Sequence, residues 1–320
     1  MKVNVQVFSS VLSLCSILLP IHLMACLLNT LVMVAVKTKR RLQTHPNILL
    51  ACLALTDLMV GLVVQPLHIA KTIFILQAGK DAHEFCNINM PFAVSLLMFS
   101  FGTNCHLLLI SGERYLAIKH TFTHAKVVNK ARLITSSAVA WIAAILLFLV
   151  AFYLSVAALF TGMAIIISTI VLLQILVYKE ARRHEKQILS QQVSREVRAK
   201  FKQEKKALKL TSLILLVVIL SFGLPLFAFS LTWQIFSETF SADFKTLVRH
   251  LGLVPLTTNA VFNPVIYTVR KKKFRIAFIE LLFRKSLQEA TGFHRRMFGS
   301  RRNVVWPRNG QERKEQEQKV

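Results

Sequence analysis

The stretch SGERYLAI occupies residues 111–118 and decides the fold. It closes an apolar run that starts near Asn89, and it ends that run with an acid, an arginine and a tyrosine at Glu113, Arg114 and Tyr115. A run of this length predicts a membrane-spanning helix, because about 20 apolar residues are enough to cross a bilayer. Charges at the end of such a helix are costly to place and indicate function. The alternative is an arginine that only anchors the helix end at the polar boundary.

The composition extends the membrane interpretation to most of the chain. The 320 residues are 54% hydrophobic and 17% charged, with a mean hydropathy of +0.53. Seven apolar stretches are long enough to cross a bilayer. We therefore predict an all-α membrane protein, with a seven-transmembrane helix bundle and a short amphipathic eighth helix over residues 1–284. Residues 285–320 are predicted to form a basic, disordered cytosolic tail.

The distribution of charge predicts the orientation. The formal net charge is +25, which by itself would also suit a nucleic-acid binder. The Lys and Arg residues, however, fall between and after the apolar stretches, as the positive-inside rule requires of cytosolic segments. This pattern predicts a multi-pass plasma-membrane protein with its amino terminus outside the cell and its carboxyl terminus in the cytosol. It also predicts anionic inner-leaflet lipid, and not nucleic acid, as a partner.

Two segments decide the topology. Residues 134–177 are apolar almost without interruption, about twice the length that one span needs, so we divide them into two spans with a turn between Phe152 and Ala157. Residues 179–209 are rich in Lys, Arg, Glu and Gln and contain no Pro or Gly, which predicts helical extensions of the fifth and sixth spans. These extensions are either solvated linkers or a surface for partners and lipid.

A few polar residues inside the spans are candidates for a site. Asp57 lies in the middle of the second span, where an acid is either hydrogen-bonded structural glue or an ion site. His106 stands alone in the third span and is predicted to be a packed core residue. Cys86 has no identifiable partner near the outer surface, so we predict no disulfide. No nucleophile–base pair, metal-ligand cluster or phosphate loop is recognisable, so we predict no enzyme activity and no cofactor.

From about residue 7 to residue 284, the chain resembles the rhodopsin-like (class A) G protein-coupled receptors. Each matching motif is weak alone, but together they follow the family's order along seven spans. The matching residues are Asn29, Leu53-Ala54-Leu55-Thr56-Asp57-Leu58, Glu113-Arg114-Tyr115, Trp141, Pro225, Asn263-Pro264-Val265-Ile266-Tyr267 and Phe274. The resemblance implies a receptor that binds an extracellular ligand and activates heterotrimeric G proteins.

The resemblance also implies roles for individual residues. Glu113 would hold Arg114 at rest, and activation would free Arg114 to meet Tyr178, Tyr267 and the carboxyl terminus of a Gα subunit. Arginine suits this exchange because its planar fork can change partners and keep its charge. Helix anchors are implied at Asn29, Trp141 and Pro225, and Pro225 and Pro264 would let the last two spans swing. An allosteric sodium ion would be held by Asp57, Thr103, Asn259 and Asn263.

Departures from the family pattern restrict the class of ligand that the chain is expected to bind. The family's usual cysteine at the head of the third span falls at Asn89, and the second outer loop that would hold its partner is nearly absent. The aspartate that holds amine ligands falls at Leu96, and the fifth span has Ile170 where many members have proline. Leu96 argues against an amine ligand. The nearly absent outer loop, the missing disulfide there and the missing proline of the fifth span are similar to features of the melanocortin, cannabinoid and lysophospholipid branch. Leu67, Asn89 and Ala93 stand where melanocortin receptors have acids, which counts against a basic peptide.

The pocket that the resemblance implies is mostly apolar, which favours a lipophilic, non-amine ligand. The alternative is that these residues simply pack together. The predicted lining residues are Leu96, Leu97, Ser100, Phe101, Leu226, Phe227, Leu253 and Thr257.

Other departures concern signalling. Gly223 stands where the family has a bulky tryptophan switch, and Lys205 replaces the acid that would hold Arg114 from the sixth span, although Glu204 is adjacent. We therefore predict raised basal activity. One alternative is a receptor-like protein that does not signal but partners other receptors. A transporter or channel is a further alternative, but it would require internal repeats or rings of charge that we do not find.

Overall fold

The computed structural model describes residues 5–77, 82–120, 128–190, 195–220 and 258–298. These ranges are helical and contain no β-strand. The helices are α1 (Val5–Thr38), α2 (His45–Met59), α3 (Gln65–Gln77), α4 (Ala82–Lys119), α5 (Lys130–Leu154), α6 (Val156–Ser190), α7 (Arg195–Val218), α8 (residues 258–270), α9 (Lys272–Leu282) and α10 (Leu287–Phe298).

Five stretches of the described residues are long and apolar enough to cross a membrane. They are Leu18–Thr38, His45–Phe74, Ile88–Lys119, Lys130–Leu154 and Thr161–Ile188. They correspond to the first five predicted spans. Helices α7 and α8 contain described parts of the sixth and seventh, and residues 221–257, with Gly223 and Pro225, lie outside the described residues.

The structure confirms the division of the long apolar segment. Helix α5 ends at Leu154 and α6 begins at Val156, so the turn lies inside the predicted interval. The hydroxyl oxygen of Ser155 accepts a hydrogen bond from the backbone N–H of Ala158 at 3.1 Å, which caps the start of α6. The predicted helical extensions are also confirmed, because α6 continues to Ser190 and α7 already begins at Arg195.

The second span contains an irregular turn. A π-helical turn at Val60–Val64 joins α2 to α3, just before Pro66. Pro66 has no N–H for the ordinary backbone ladder, so the preceding turn widens instead. Gly61 faces α1 there, and a Cβ at Gly61 would lie only 2.4 Å from the Cys26 sulfur. The close approach of the two helices therefore requires a glycine.

Helix α4 is the centre of the described bundle and packs against α2, α5, α6 and α7. Its fully buried residues include Phe101 and Leu107, and they join one continuous core with Leu53, Ile170 and Tyr267. The exposed apolar side chains of α5 and α6 point away from this core, as expected for helices that contact lipid.

Helix α9 is the predicted amphipathic helix, and its apolar face docks on the bundle. Phe274 and Phe278 are buried in the main core. Glu280, on another side of α9, forms ion pairs with Lys39 and Arg41 from the turn after α1. Burial raises the pKa of the Glu280 carboxyl, but its bonds to Lys39 and Arg41 outweigh that effect, so the pKa lies below its usual value.

The expectation of disorder from residue 285 fails at α10, which is a helix packed against α9. Ala290 is fully buried against Ile276 and Ile279. Ser286 and Glu289 form a reciprocal cap, in which the backbone N–H of Ser286 donates to the Glu289 carboxylate at 2.8 Å. The Ser-x-x-Glu spacing of a capping box is visible in the sequence and indicates the start of a helix. The prediction of disorder rested instead on the charged, polar composition of this segment. Residues 299–320 lie outside the described residues.

Candidate functional site

The first component of the site is a buried ion pair at the end of α4. Nε and Nη2 of Arg114 both bind Oε2 of Glu113, and the two side chains are only 2% and 4% exposed. Such a pair is expensive to bury, and removing one partner leaves an uncompensated charge. The contact between Glu113 and Arg114 that the resemblance implied is therefore present, and its role as a resting state stays a prediction. We call this end of the bundle the Arg114 end.

A polar bridge joins three helices one turn away from the ion pair. The side-chain amide of Gln174 on α6 donates to the Ser111 hydroxyl on α4 at 3.0 Å. The Ser212 hydroxyl on α7 donates to the Gln174 carbonyl at 3.3 Å. Gln174 is buried, so these bonds form where water does not compete for them. This bridge is not evident from the sequence, because its members are ordinary polar residues at large sequence separations.

Replacing Gln174 with leucine is expected to loosen α7 from α4 and α6. The change removes two hydrogen bonds of roughly 0.5–1.5 kcal/mol each and leaves Ser111 without that donor. We expect a lower midpoint of thermal unfolding for the purified protein. Gln187→Leu, on the exposed part of α6, is the matched control. Equal midpoints for the two variants would mean that the bridge contributes nothing.

Lys205 has a different partner from the one that the family pattern would give this position. Its amine binds both carboxylate oxygens of Glu185 at 2.5 and 2.7 Å, which joins α7 to the extension of α6. Both side chains are more than a third exposed, so the pair contributes little to stability. The pair matters for where the Lys205 amine points, because it holds that amine against Glu185 of α6.

Several residues near Arg114 come from elements far apart in sequence. The Lys271 amine donates to the Asn47 side-chain oxygen at 2.6 Å, and Asn47 in turn donates to the backbone oxygen of Leu42 at 2.9 Å. Tyr267 is fully buried, with its ring 6.1 Å from that of Phe274. The start of α2, the end of α8 and the start of α9 therefore meet here.

Tyr178 points elsewhere in this structure. Its side chain is exposed, and the Arg182 guanidinium lies over its ring at 4.8 Å. Tyr115 is also directed outward, where its hydroxyl accepts a hydrogen bond from the Lys119 amine at 3.0 Å. The predicted switch residues are thus only partly assembled. A contact between Tyr178 and Arg114 would need the Tyr178 side chain to leave Arg182.

A pH dependence follows from Lys271. Desolvation and repulsion from Arg114 and Lys273 lower the pKa of its amine to about 7, whereas an unfolded lysine titrates near about 10.4. Between these values the unfolded chain holds a proton that the folded protein has lost, so stability increases with pH. We expect the unfolding midpoint to rise between about pH 7 and about pH 9, and Lys271→Met to reduce that rise.

The matched control for this pH experiment is Lys272→Met, because Lys272 is exposed on α9. An identical pH slope in wild type and Lys271→Met would contradict the assignment to Lys271.

The second component is the polar centre around Asp57. The Asn263 amide on α8 donates to Oδ2 of Asp57 at 2.8 Å, which joins the second and seventh spans. Thr103 and Asn259 are also buried. The side-chain oxygens of Asn259 and Asn263 have no hydrogen-bond donor among the described residues. A carboxylate with oxygens lacking donors is the kind of ligand set that a small hard cation prefers. These residues therefore fit the sodium ion that the resemblance implies.

Two further predicted anchors have clear packing roles. The Asn29 amide donates at 2.9 Å to the backbone oxygens of both Ala25 and Ala260, which ties α1 to α8. The Trp141 ring packs edge-on against Phe99 and His106. The helices α4 and α5 approach closely here at Gly102, where a Cβ would lie 3.3 Å from the Trp141 ring.

His106 is a core residue, as predicted. It is buried, and its two ring nitrogens make hydrogen bonds of 2.8 Å with the Gly102 backbone oxygen and the Ser137 hydroxyl. These bonds account for both ring nitrogens.

Only four of the eight predicted pocket residues belong to the part of the chain that the structure describes. Leu226, Phe227, Leu253 and Thr257 lie outside the described residues. Of the other four, Leu96 and Leu97 are partly buried, and the Ser100 hydroxyl donates to the Leu96 backbone oxygen at 2.6 Å. Phe101 belongs to the main core. For Phe101, the alternative that the residues simply pack together therefore fits better.

Helix α3 has a buried polar face that the predicted site residues do not include. Gln65, His68, Lys71 and Thr72 are all buried at the end of the second span away from Arg114. The His68 ring stacks on Phe92 of α4 at 5.4 Å, and the Lys71 amine lies 4.6 Å from the same ring. The spacing of 65, 68 and 72 places them on one helical face, which could have been found by periodicity.

Comparison with known proteins gives a consistent class. Residues 28–160 match the family model described as 7 transmembrane receptor (rhodopsin family). Adenosine receptor A3 of Bos taurus is 25% identical over 295 residues, covering 82% of this chain and 87% of that receptor. The 5-hydroxytryptamine receptor 2B of Dichotomyctere fluviatilis is 33% identical over 117 residues, which cover 37% of this chain and 24% of that receptor.

The fold is therefore an all-α, seven-helix membrane bundle, and the similarity supports a rhodopsin-like (class A) G protein-coupled receptor. The narrower branch of melanocortin, cannabinoid and lysophospholipid receptors receives no support from these relatives.

Proposed function

We propose that this chain is a plasma-membrane receptor that activates a heterotrimeric G protein through its Arg114 end. The observation that carries the proposal is the buried pair of Glu113 and Arg114, together with the bridge through Gln174. An arginine held by a neighbouring acid can be released to a partner without creating a new charge. The basic segments beside this end favour a cytosolic location, with the amino terminus outside the cell.

The proposed resting state differs from the family pattern in its outer restraint. Lys205, a cation engaged by Glu185 on α6, stands where the family pattern has an acid for Arg114. Gly223 removes a bulky side chain from the sixth span. Both features favour raised basal activity, which the bridge through Gln174 counteracts.

The proposed ligand is extracellular, small and not an amine, with a lipophilic body. Leu96 at the place of the amine-binding aspartate supports this class. Adenosine, named by the relative that covers most of the chain, is a second candidate.

The test is activation of a panel of Gα subunits in cells that display the full chain at a measured surface level. Signal without ligand, above that of empty cells, would support the receptor and its basal activity. Adenosine and a lysophospholipid would then be added separately. If the well-displayed protein gives no signal in any arm, the second candidate function, a non-signalling partner of other receptors, replaces the first. The missing cysteine at the head of the third span, where this chain has Asn89, is the feature that favours this alternative.

Orientation is measured in the same cells. A peptide tag at the amino terminus should bind antibody without permeabilisation, whereas a tag at the carboxyl terminus should require it. The opposite result would contradict the proposed topology.

A further inference from the structure

A groove between α4, α5 and α6 opens toward the lipid near the Arg114 end. It has a volume of about 850 Å³. This lies within the range of about 300–1,000 Å³ that is typical of ligand pockets. We propose that it binds one anionic glycerophospholipid, with an acyl chain in the groove and the head group beside Arg132. This assignment goes beyond the proposed receptor function and relies on its orientation only to place the lipid in the inner leaflet.

The groove exists because small residues stand where larger ones would fill the space. At Gly112 on α4, no atom lies within 4 Å of the place that a Cβ would occupy. Ala140 and Ala143 line the opposite wall on α5. A Cβ at residue 112 would therefore meet open space at the wall of the groove. The shape is a property of these positions and can be removed by substitution.

The rim of the groove is apolar and exposed. Leu116 of α4 is 44% exposed, and Val139 and Leu147 of α5 are 57% and 45% exposed. All three line the groove on spans that cross the membrane. A groove with such a rim is accessible from the hydrocarbon region, so an acyl chain matches its chemistry.

Charge at the mouth selects the head group. Arg132 lines the groove at the start of α5, and Lys130 stands two residues before it. The Asn129 side-chain oxygen accepts a hydrogen bond from the Arg132 backbone N–H at 2.8 Å, which fixes the start of the helix. Cations near the membrane surface attract anionic lipid. A phosphatidylserine-type head group therefore fits this mouth better than a neutral one.

The groove also contacts the candidate switch. Glu113 is one of its lining residues, next to Gly112. A bound acyl chain would pack beside the buried pair of Glu113 and Arg114. We expect it to stabilise the resting arrangement of that pair.

The experiment is native mass spectrometry of the purified full chain, offered phosphatidylserine or phosphatidylcholine in equal amounts. Gly112→Leu and Ala143→Leu fill the groove from opposite walls, and Arg132→Gln removes the charge at its mouth. Leu172→Phe adds bulk to an exposed position of α6 outside the groove, and Arg295→Gln removes a cation from exposed α10. Circular dichroism and surface display confirm that each variant folds.

We expect one retained phosphatidylserine on wild type and on both controls. Either filling variant should lose most of it, and Arg132→Gln should weaken it by about fivefold, the effect of one cation near an anionic surface. Retention by both filling variants would overturn the groove, and equal retention of phosphatidylcholine would overturn the anionic head group. The readout is bound lipid and not signalling, so its failure is distinguishable from failure of the receptor proposal.

Discussion

Arg114→Ala is expected to abolish Gα activation, with and without ligand, in protein that still reaches the cell surface. The guanidinium is the group that a Gα subunit would meet once Glu113 releases it, and alanine leaves nothing to take its place. The change also leaves the Glu113 carboxylate buried without its cation, which costs roughly 3–5 kcal/mol when a buried pair is broken. Signal must therefore be normalised to the amount of displayed protein.

Glu113→Gln tests the loss of the Glu113 charge separately from the loss of the Arg114 guanidinium. Glutamine has nearly the shape of glutamate but no charge, so it releases Arg114 while leaving the guanidinium in place. We expect basal Gα activation to rise in Glu113→Gln and to fall to background in the double variant with Arg114→Ala. Arg183→Ala, which changes an exposed cation of α6, is the matched control. Undiminished activation by displayed Arg114→Ala would remove Arg114 from the mechanism.

Asn263→Ala is expected to give the largest loss of stability among single changes in the polar centre. It removes the donor to Asp57, a bond of about 1.5–3 kcal/mol when the acceptor is an ionised carboxylate. It also unties the second span from the seventh. The measurement is the midpoint of thermal or detergent-induced unfolding of the purified chain.

The control is a double-mutant cycle with Asp57→Asn, which keeps an acceptor oxygen but removes the charge. If the two changes add without coupling, the charge of Asp57 adds nothing measurable to the bond at 2.8 Å. The same assay tests the ion, because sodium should raise the wild-type midpoint more than potassium does, and Asp57→Asn should lose that difference. Equal effects of the two salts on wild type would exclude a sodium site.

Most of the architecture could be predicted from hydrophobicity and charge, because a bilayer demands long apolar helices. The turn at Ser155 could be predicted from length alone, since a segment of 44 residues from 134 to 177 is too long for one span. The bonds that join Asn263 to Asp57 and Asn29 to Ala260 cross large sequence separations. Their residues could be named only through a resemblance, because periodicity does not reveal which faces meet.

The misses have different physical causes. Helix α10 was assigned to a disordered tail because its composition is polar, but the cap at Ser286 and the buried Ala290 stabilise it against α9. The bridge through Gln174 depends on side-chain geometry that no local pattern contains. Lys71 is buried on α3, whereas the predicted pocket was mostly apolar. Lysine is rarely placed inside a membrane bundle, so this position was not predicted.

The π-helical turn at Val60–Val64 has a further consequence for the second span. Before the turn, Asp57 faces Asn263 of α8, and after it, His68 and Lys71 face Phe92 of α4. Restoring 3.6 residues per turn by deleting one residue would rotate everything beyond it by about 100°. The direction of the side chains before the turn is therefore set independently of the direction of those after it. Sequence change in α3 can therefore alter the face that this helix presents to α4 without turning Asp57 away from Asn263.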